Sequence, residues 1–338
     1  MIDTLVIHQT GENGQDFNLN IKENGFKRLY DDETKTVKHF KVFYDGKTKE
    51  KKSPIYVYYS PNDSKLKLQF SVPKLIQGNS IENFELSELS ELHSILENRL
   101  KGILDADFNN MNISRIDVSK NIEVENDVCL YLLACDNARA ENKRYSSYKF
   151  GTETITFSNN SRRITLYDKI KEVIAEDRNN QLAREYKRAG RNILRFEIQH
   201  KTGKSISTHL KEVASDLSIE TLYRNSKEVA SDFKAYLSTE FQKFFCYSGQ
   251  YEMFMFDEGL TLAIKNVFGK RNLAINTLAR KYMQEHQEFK PFEFSKLFIP
   301  YYSERNILKI RKQIIKLQKL SNMTKVDYIS EIESKLVA

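Results

Sequence analysis

Apolar and polar residues alternate along residues 65–72, where the apolar set is Leu66, Leu68, Phe70 and Val72. A period of two indicates a β-strand with one buried face and one polar face. Pro73 follows directly and marks the end of this strand, because proline cannot donate to a sheet ladder. Segments rich in β-branched and aromatic residues predict further strands at 38–44, 55–60, 113–120, 153–169 (two strands joined at 158–161) and 192–200.

Apolar residues at spacings of three and four predict amphipathic helices at 87–104 and 124–142. A charged helix is predicted at 174–190. From residue 206 onward the pattern is almost wholly helical, with segments at 206–217, 226–246, 259–287 and 303–335. We therefore predict an α+β fold, with an antiparallel-rich sheet and helices packed on one face, for a domain of residues 1–205. Residues 206–338 are predicted to form a mostly α-helical C-terminal domain with a DNA-binding or accessory role.

The composition excludes a membrane protein and a disordered chain. Charged residues make up 29% of the chain, hydrophobic residues 40%, and there are 21 Phe and 18 Tyr. The longest apolar run, Val128 to Cys135, is far shorter than the ~20 residues that a membrane helix needs. Asp3 interrupts the first apolar run, which argues against a secretory signal. The three cysteines include no CxxC pair, so a reducing, cytoplasmic location is predicted.

The charge balance is compatible with a polyanionic partner. Lys and Arg total 53 against 46 Asp and Glu, which gives +7. Residues 305–319 alternate basic and apolar side chains, and Lys309, Arg311 and Lys312 are candidate contacts to a DNA backbone. A solvated basic face is the plain alternative for this helix, and a membrane surface is a weaker one.

Common nucleotide and metal motifs are missing from the chain. There is no P-loop, no GxGxxG and no HExxH, and the six histidines form no His-hydrophobic-His pair. On the strand 65–72, Gln69 and Ser71 occupy the outward face where such a pair could lie. His200 has the wrong parity to join Glu197. A nuclease site built on this sheet would therefore depend on carboxylates.

Three predicted strands place chemically active side chains on their polar faces. If the apolar faces all pack against helices, the polar faces form one surface. That surface holds two carboxylates, a tyrosine and several cations, although a plain solvent-exposed face explains each strand taken alone. The residues are Arg115 and Asp117 on the first strand, Arg163, Tyr167 and Lys169 on the second, and Arg195 and Glu197 on the third.

Such a surface suits phosphoryl transfer. Two carboxylates bind a hard cation such as Mg²⁺ through oxygen atoms, and the cation polarises a phosphodiester. A tyrosine can attack phosphorus once a nearby cation favours its phenolate. Tyr167 and Lys169 lie two residues apart, roughly 6.6 Å along a strand, so both would reach one phosphate from the same side.

Five sequence blocks resemble the filamentous-phage gene II/X type of replication initiators, which phages and rolling-circle plasmids carry. They occur in the family's order and at similar spacing over about residues 1–205. The blocks are Met1 to Ile7, Lys74 to Asn79, Ile113 to Asp117, Ser161 to Glu172 and Leu194 to Glu197.

The resemblance implies an enzyme that nicks and rejoins one strand of origin DNA with Mg²⁺ or Mn²⁺. Tyr167 matches the family's nucleophile, which would form a 5′-phosphotyrosyl link. Asp117 and Glu197 stand at the family's acidic positions as metal ligands, and Lys169 would support the phosphate or the phenolate. Glu172 is either a third ligand or part of a salt bridge. The implied partner is origin DNA, single-stranded or supercoiled, with a host helicase and a homodimer as further expectations.

Two questions stay open at this point. Arg115, Arg163 and Arg195 either contact phosphates as bidentate donors or form structural ion pairs with Asp117 and Glu197. The chain is either the nicking enzyme, a non-catalytic single-strand DNA-binding or regulatory protein with the same fold, or a plasmid-mobilising relaxase with the same chemistry.

Overall fold

The computed structural model describes most of the first 245 residues and the C-terminal end of the chain. The described residues are 2–11, 25–31, 36–43, 53–104, 106–108, 111–137, 145–150, 153–210, 218–224, 226–245, 308 and 328–338. The predicted helix 259–287 and nearly all of the predicted basic helix 305–319 lie outside them.

Ten strands form one sheet in the order β2-β3-β4-β5-β1-β6-β10-β9-β8-β7, and every neighbouring pair is antiparallel. The strands are β1 Ile2–Thr10, β2 Lys27–Asp31, β3 Thr36–Phe43, β4 Ile55–Ser60, β5 Lys65–Ser71, β6 Asn112–Val124, β7 Ser146–Phe150, β8 Thr154–Ser158, β9 Arg162–Asp168 and β10 Asn192–His200.

Helices follow or connect these strands. They are α1 Val72–Ile76, α2 Leu92–Leu100 (after a 3₁₀ helix, Leu86–Glu91), α3 Val128–Asn137, α4 Lys169–Glu176, α5 Gln181–Arg188, α6 Gly203–His209, α7 Ile219–Arg224, α8 Ser226–Phe244 and a C-terminal helix, α9, Tyr328–Val337. Among the helices that the structure describes, none is long and apolar enough to cross a membrane.

The hydrophobic core lies against one face of the sheet. Leu68 and Phe70 of β5 and Leu166 of β9 are buried there, as the period of two predicts, and pack with side chains of α2, α3, α8 and α9. The predicted α+β class is confirmed. The boundary near residue 205 stays a prediction, although Phe233 of α8 and Ile332 of α9 belong to the same core as the sheet.

Several predicted elements differ in detail. The predicted helix 174–190 is two helices, because Asn180 ends the linker at 177–180 and its side chain accepts a hydrogen bond from the Ala183 amide at 3.0 Å. The predicted helix 87–104 begins as a 3₁₀ turn. Strands β1, β2 and β7 were not predicted. Helices α4 and α5 form a small separate cluster with Ile81.

The sheet consists of two five-stranded halves with the same internal order. Outward from the central β1/β6 pair, one half runs β1-β5-β4-β3-β2 and the other β6-β10-β9-β8-β7. Leu5 and Ile116 pair at the centre. The pairing skips Asp3 on β1 and Ser114 on β6, and each skipped residue forms a β-bulge. A two-fold rotation that exchanges Leu5 with Ile116 also exchanges these two bulges. The sheet thus has an internal two-fold relation.

Candidate functional site

The junction of β9 and α4 positions the tyrosine. β9 ends at Asp168, whose carboxylate caps α4 by accepting a hydrogen bond from the Lys171 amide at 3.0 Å. The prediction that Lys169 continues the strand is therefore wrong, because Lys169 is the first residue of α4. Its ammonium nitrogen nevertheless returns toward the tyrosine and lies 5.7 Å from the centre of the Tyr167 ring.

Tyr167 contacts a carboxylate directly. Its hydroxyl donates a hydrogen bond to Glu197 Oε2 at 3.1 Å, across the β9/β10 pair. Lys169 is buried and donates to Glu172 Oε2 at 2.8 Å. Glu172 thus forms a salt bridge with a buried lysine, and its role as a third metal ligand stays a prediction.

Arg195 is the buried centre of the cluster. The side chain is only 2% exposed. Its guanidinium lies 2.6 Å from Asp3 Oδ1 and 3.3 Å from Glu197 Oε2, and it donates to Ser119 Oγ at 2.7 Å. It also donates to the carbonyl oxygen of Ser80 at 3.2 Å. These contacts favour the ion-pair alternative for Arg195, which holds two carboxylates in place and is not open to a phosphate.

A second ion pair holds the other predicted acid. Arg115 forms a fork with Asp117, with Nε–Oδ1 at 2.9 Å and a terminal nitrogen to Oδ2 at 2.5 Å. Asp117 is 1% exposed and also accepts from Gln199 Nε2 at 3.2 Å. Arg115 remains partly exposed, and Arg163 on β9 is exposed. Arg163 is thus the predicted arginine that is most open to a phosphate.

Asp3 belongs to the site, although the sequence did not single it out. It lies at the bulge of β1, where an extra residue turns its carboxylate toward Arg195. A lone carboxylate between Ile2 and Leu5, in an otherwise apolar run, was the available signal, because buried carboxylates are rare unless they are paired.

The carboxylates of the cluster differ widely in pKa. Burial raises the pKa of Glu197 to about 7, because the negative charges of Asp3 and Asp117 add to it and Arg195 only partly offsets them. Burial alone would raise the pKa of Asp3, but Arg195 and Lys169 lower it to about 2. Burial and Asp3 also raise the pKa of Asp117, against the effect of Arg115.

Burial shifts the pKa of the tyrosine upward and that of the lysine downward. Burial raises the pKa of the Tyr167 phenol well above its usual 10.0, and Glu197 and Glu172 raise it further against the effect of Arg195. Burial and the charge of Arg195 lower the pKa of Lys169. A phenol in this setting needs a proton acceptor to react, and Glu197 is the carboxylate bonded to it.

The donor set has the chemistry that a divalent cation requires. Four carboxylates, Asp3, Asp117, Glu172 and Glu197, face three cations, Arg115, Lys169 and Arg195. The net charge of this set depends on pH, because the pKa of Glu197 is about 7. No group of three or more possible ligands within the described ranges is arranged to hold a metal by itself. Mg²⁺ typically uses one or two carboxylates plus substrate phosphate and water, so Asp117 and Glu197 fit it.

The other residues considered in the sequence lie away from this cluster or outside the described residues. His200 faces the core, where it bonds Ser205 and Tyr236, on the side of β10 opposite to Glu197. Gln69 lies on the polar face of β5, paired with Val6. Three predicted DNA contacts of the basic helix lie outside the described residues: Lys309, Arg311 and Lys312.

Comparison with known proteins confirms the predicted resemblance. The model of a phage family, described as the N-terminal part of the replication-associated protein of the gene II type, matches residues 1–220. This range contains both halves of the sheet and every residue of the cluster. No curated protein matches the chain.

Proposed function

The chain belongs to the family of gene II-type phage replication-associated proteins, which are replication initiators, and from this premise we propose that it nicks and rejoins one strand of origin DNA. The Tyr167 hydroxyl is the nucleophile. The observation that carries this proposal is the hydrogen bond from that hydroxyl to Glu197, inside a cluster of carboxylates on the polar face of the sheet. A homodimer, a host helicase partner and a cytoplasmic location remain predictions.

The reaction balances with the residues present. The Tyr167 oxygen attacks the phosphorus of one phosphodiester while its proton passes to Glu197. The bond from phosphorus to the 3′ oxygen breaks, and that oxygen takes up the proton held by Glu197, which leaves a 3′-hydroxyl and a 5′-phosphotyrosyl link. For rejoining, a 3′-hydroxyl gives its proton to Glu197 and attacks the same phosphorus, and the Tyr167 oxygen leaves and takes the proton from Glu197. The link conserves the bond energy, so closure needs no ATP.

The surrounding residues have separate roles in this proposal. Asp117 and Glu197 would hold Mg²⁺ or Mn²⁺, which when bound supplies charge stabilisation to the phosphodiester. Arg195 and Asp3 are positioning residues, since they orient Glu197 without reaching the substrate. Arg163, which is exposed on the same face of β9 four residues before Tyr167, contacts a phosphate of the bound strand.

The test is Tyr167→Phe, which removes one oxygen and keeps the ring. An origin oligonucleotide labelled on the 3′ side of the nick, incubated with Mg²⁺ or Mn²⁺, gives a labelled covalent adduct with the wild-type protein on a denaturing gel. The variant is expected to bind the oligonucleotide normally and to lose both the nick and the adduct. Tyr145→Phe, where the ring packs edge-on against Phe244, is the matched control.

Other outcomes would separate the alternatives. An adduct that peptide mapping places on Tyr148 or another tyrosine would replace the nucleophile and keep the reaction. Nicking without any adduct would indicate water as the nucleophile. Binding without nicking would make the chain a non-catalytic DNA-binding protein, the second class of function that the sequence allows.

A further inference from the structure

Aromatic rings cluster on β3 and β4, in the half of the sheet that does not contain Asp117, Tyr167 and Glu197. Phe40 of β3 lies 4.8 Å from Tyr58 and 6.3 Å from Tyr56 of β4, measured between ring centres. The Lys67 ammonium of β5 lies 5.7 Å from the Tyr58 ring. These four side chains are the aromatic platform. Phe40 and Tyr58 are direct register partners, and Tyr58 pairs with Lys67.

The aromatic platform and the tyrosine site share one face of the sheet. Tyr56 pairs with Gln69, Gln69 with Val6, and Val6 with Arg115. Directly paired residues of antiparallel strands point to the same side. Arg115 bonds Asp117 on the site face. The platform and the carboxylates therefore lie on the same face of the sheet, with the buried apolar side chain of Val6 between them.

The platform rings are not part of the hydrophobic core. Phe40, Tyr56 and Tyr58 are half-buried and lie outside the core cluster of the described residues, whereas Phe70 of the adjacent strand is 1% exposed within it. A half-buried ring on a sheet face keeps one surface for another flat group to stack on.

A band of positive charge joins the platform to the site. Burial lowers the pKa of Lys67, and the charges of Arg115, Lys65 and Lys38 lower it further. The pKa of Lys201 is lowered by burial and by the charges of Arg163 and Arg115. Within the part of the chain that the structure describes, no carboxylate forms an ion pair with Lys67. The band is Lys38, Lys65, Lys67, Arg115, Arg163 and Lys201.

We propose that the aromatic platform binds the single-stranded DNA next to the nicked phosphodiester, by stacking bases on its rings, while the band contacts the phosphates. The proposal rests on the proposed function for the position of the nick. Rings stack on unpaired bases of any sequence, and cationic grooves beside them follow the backbone. Five strand spacings separate β4 from β9, about 24 Å. At ~3.4 Å per nucleotide this is about seven nucleotides of one strand.

The test uses the absence of tryptophan from the chain. Tyr58→Trp places one emission probe on the platform. Tyr186→Trp is the matched control, because Tyr186 lies on α5, outside the platform. Its ring stacks against the Arg191 guanidinium. The full chain is titrated with oligothymidine of about ten nucleotides and with a duplex of the same length. We expect quenching for Tyr58→Trp by the single strand, little by the duplex, and little for the control.

Two further double variants test the platform in case the Tyr58→Trp protein does not fold. Tyr56→Phe with Tyr58→Phe keeps both rings, and Tyr56→Val with Tyr58→Val removes them while keeping residues that suit a strand. The valine pair should weaken binding of the single strand about ten-fold or more and the phenylalanine pair only slightly.

Binding without quenching, equal quenching by the duplex, or equal affinity of the two pairs would overturn the platform. Each result is independent of whether the wild-type protein nicks. A failed nicking assay with intact quenching would therefore reject the proposed function and leave the platform in place.

Discussion

The two halves of the sheet have the same strand order and the same pairing, but they carry different side chains on the face of the candidate site. If Leu5 is matched to Ile116, the strand pairings match Phe70 with His200 and therefore Lys67 with Glu197. The same relation matches the two bulges, at Asp3 and Ser114. The half from β6 to β10 presents Asp117, Glu197 and Tyr167, whereas the half from β1 to β5 presents Lys67 at the position of Glu197 and Tyr56 and Tyr58 at the positions of Arg163 and Thr165.

The match extends to the nucleophile. Tyr167 pairs with Arg195 in one half, and Ser60 pairs with Lys65 in the other. The Ser60 hydroxyl bonds Asp63 in a turn, whereas the Tyr167 hydroxyl bonds a carboxylate beside a buried arginine. A repeated frame thus has only one chemically equipped half. Under the two proposals made above, one half of this common frame carries the reaction and the other binds the strand.

The largest effect should follow from removing charge on the reactive half. Asp117→Asn and Glu197→Gln nearly preserve shape, so folding should survive while a cation loses its ligands. Losing the charge stabilisation of a metal costs several kcal/mol, and nicking should fall by ~10³ or more. The measurement is the nicking rate on origin plasmid at saturating Mg²⁺ or Mn²⁺.

Asp63→Asn makes the same chemical change on the other half and is the control. Circular dichroism and thermal unfolding of all three variants would exclude a folding defect. Nicking at near wild-type rates by both Asp117→Asn and Glu197→Gln would show that these acids are structural, and the comparison between the halves would lose its basis.

The two halves also differ beneath the sheet. The first half rests on apolar side chains such as Leu68 and Phe70. Under the second half, buried His200 bonds Ser205 at 2.9 Å and the Tyr236 hydroxyl at 2.9 Å. Burial lowers the pKa of His200 to about 3, and Arg162 and His209 lower it too, against Glu240. The contribution of buried His200 to the stability of the fold therefore depends on pH. The contribution of buried apolar side chains such as Leu68 and Phe70 does not.

The expected result is a loss of stability in acid. The folded-state pKa of His200 lies below the unfolded value of 6.5, so the unfolded chain binds the proton first as the pH falls. The contribution is complete above about pH 6.5 and disappears toward about pH 3, a loss of roughly 3 kcal/mol between about pH 7 and pH 4. Urea unfolding at several pH values should show that His200→Gln flattens this dependence.

His39→Gln is the matched substitution on the first half, where the ring stacks on Tyr59. Its stability is measured at the same pH values. If both variants respond alike to acid, the titration lies elsewhere, and the polar network under β10 is not the pH-sensitive part of the sheet.

The sequence predicted the strands whose apolar residues repeat every second position, and Asn192–His200 was predicted to the residue. It also predicted the shared face of Asp117, Tyr167 and Glu197, because parity survives whatever the pairing partners are. Two details were not predicted, for a physical reason: the place of Asp3 in the cluster, and the position of Lys169 in a helix instead of the strand. A β-bulge sets the direction of the Asp3 side chain, and the helix cap at Asp168 makes Lys169 the first residue of a helix. Both features depend on tertiary contacts.

The smallest effect concerns the salt dependence of DNA binding. A protein that neutralises phosphates of a single strand releases counterions, so the logarithm of affinity falls with the logarithm of salt concentration, with a slope near −0.7 per phosphate. Lys67 belongs to the band and lies against a platform ring. Lys67→Gln should therefore reduce the steepness of the slope by about 0.7, and Lys187→Gln, exposed on α5, should not.

The basic helix gives a reference for the same measurement. Replacing Lys309, Arg311 and Lys312 with Ala should reduce the steepness by about 2 if each contacts one phosphate, and an unchanged slope would show that this helix does not touch DNA. A slope that is unchanged in Lys67→Gln but reduced in the triple variant would place the bound strand on the C-terminal part of the chain. The aromatic half of the sheet would then be a solvated face, because a lysine that contacts a phosphate cannot be removed without releasing fewer ions on binding.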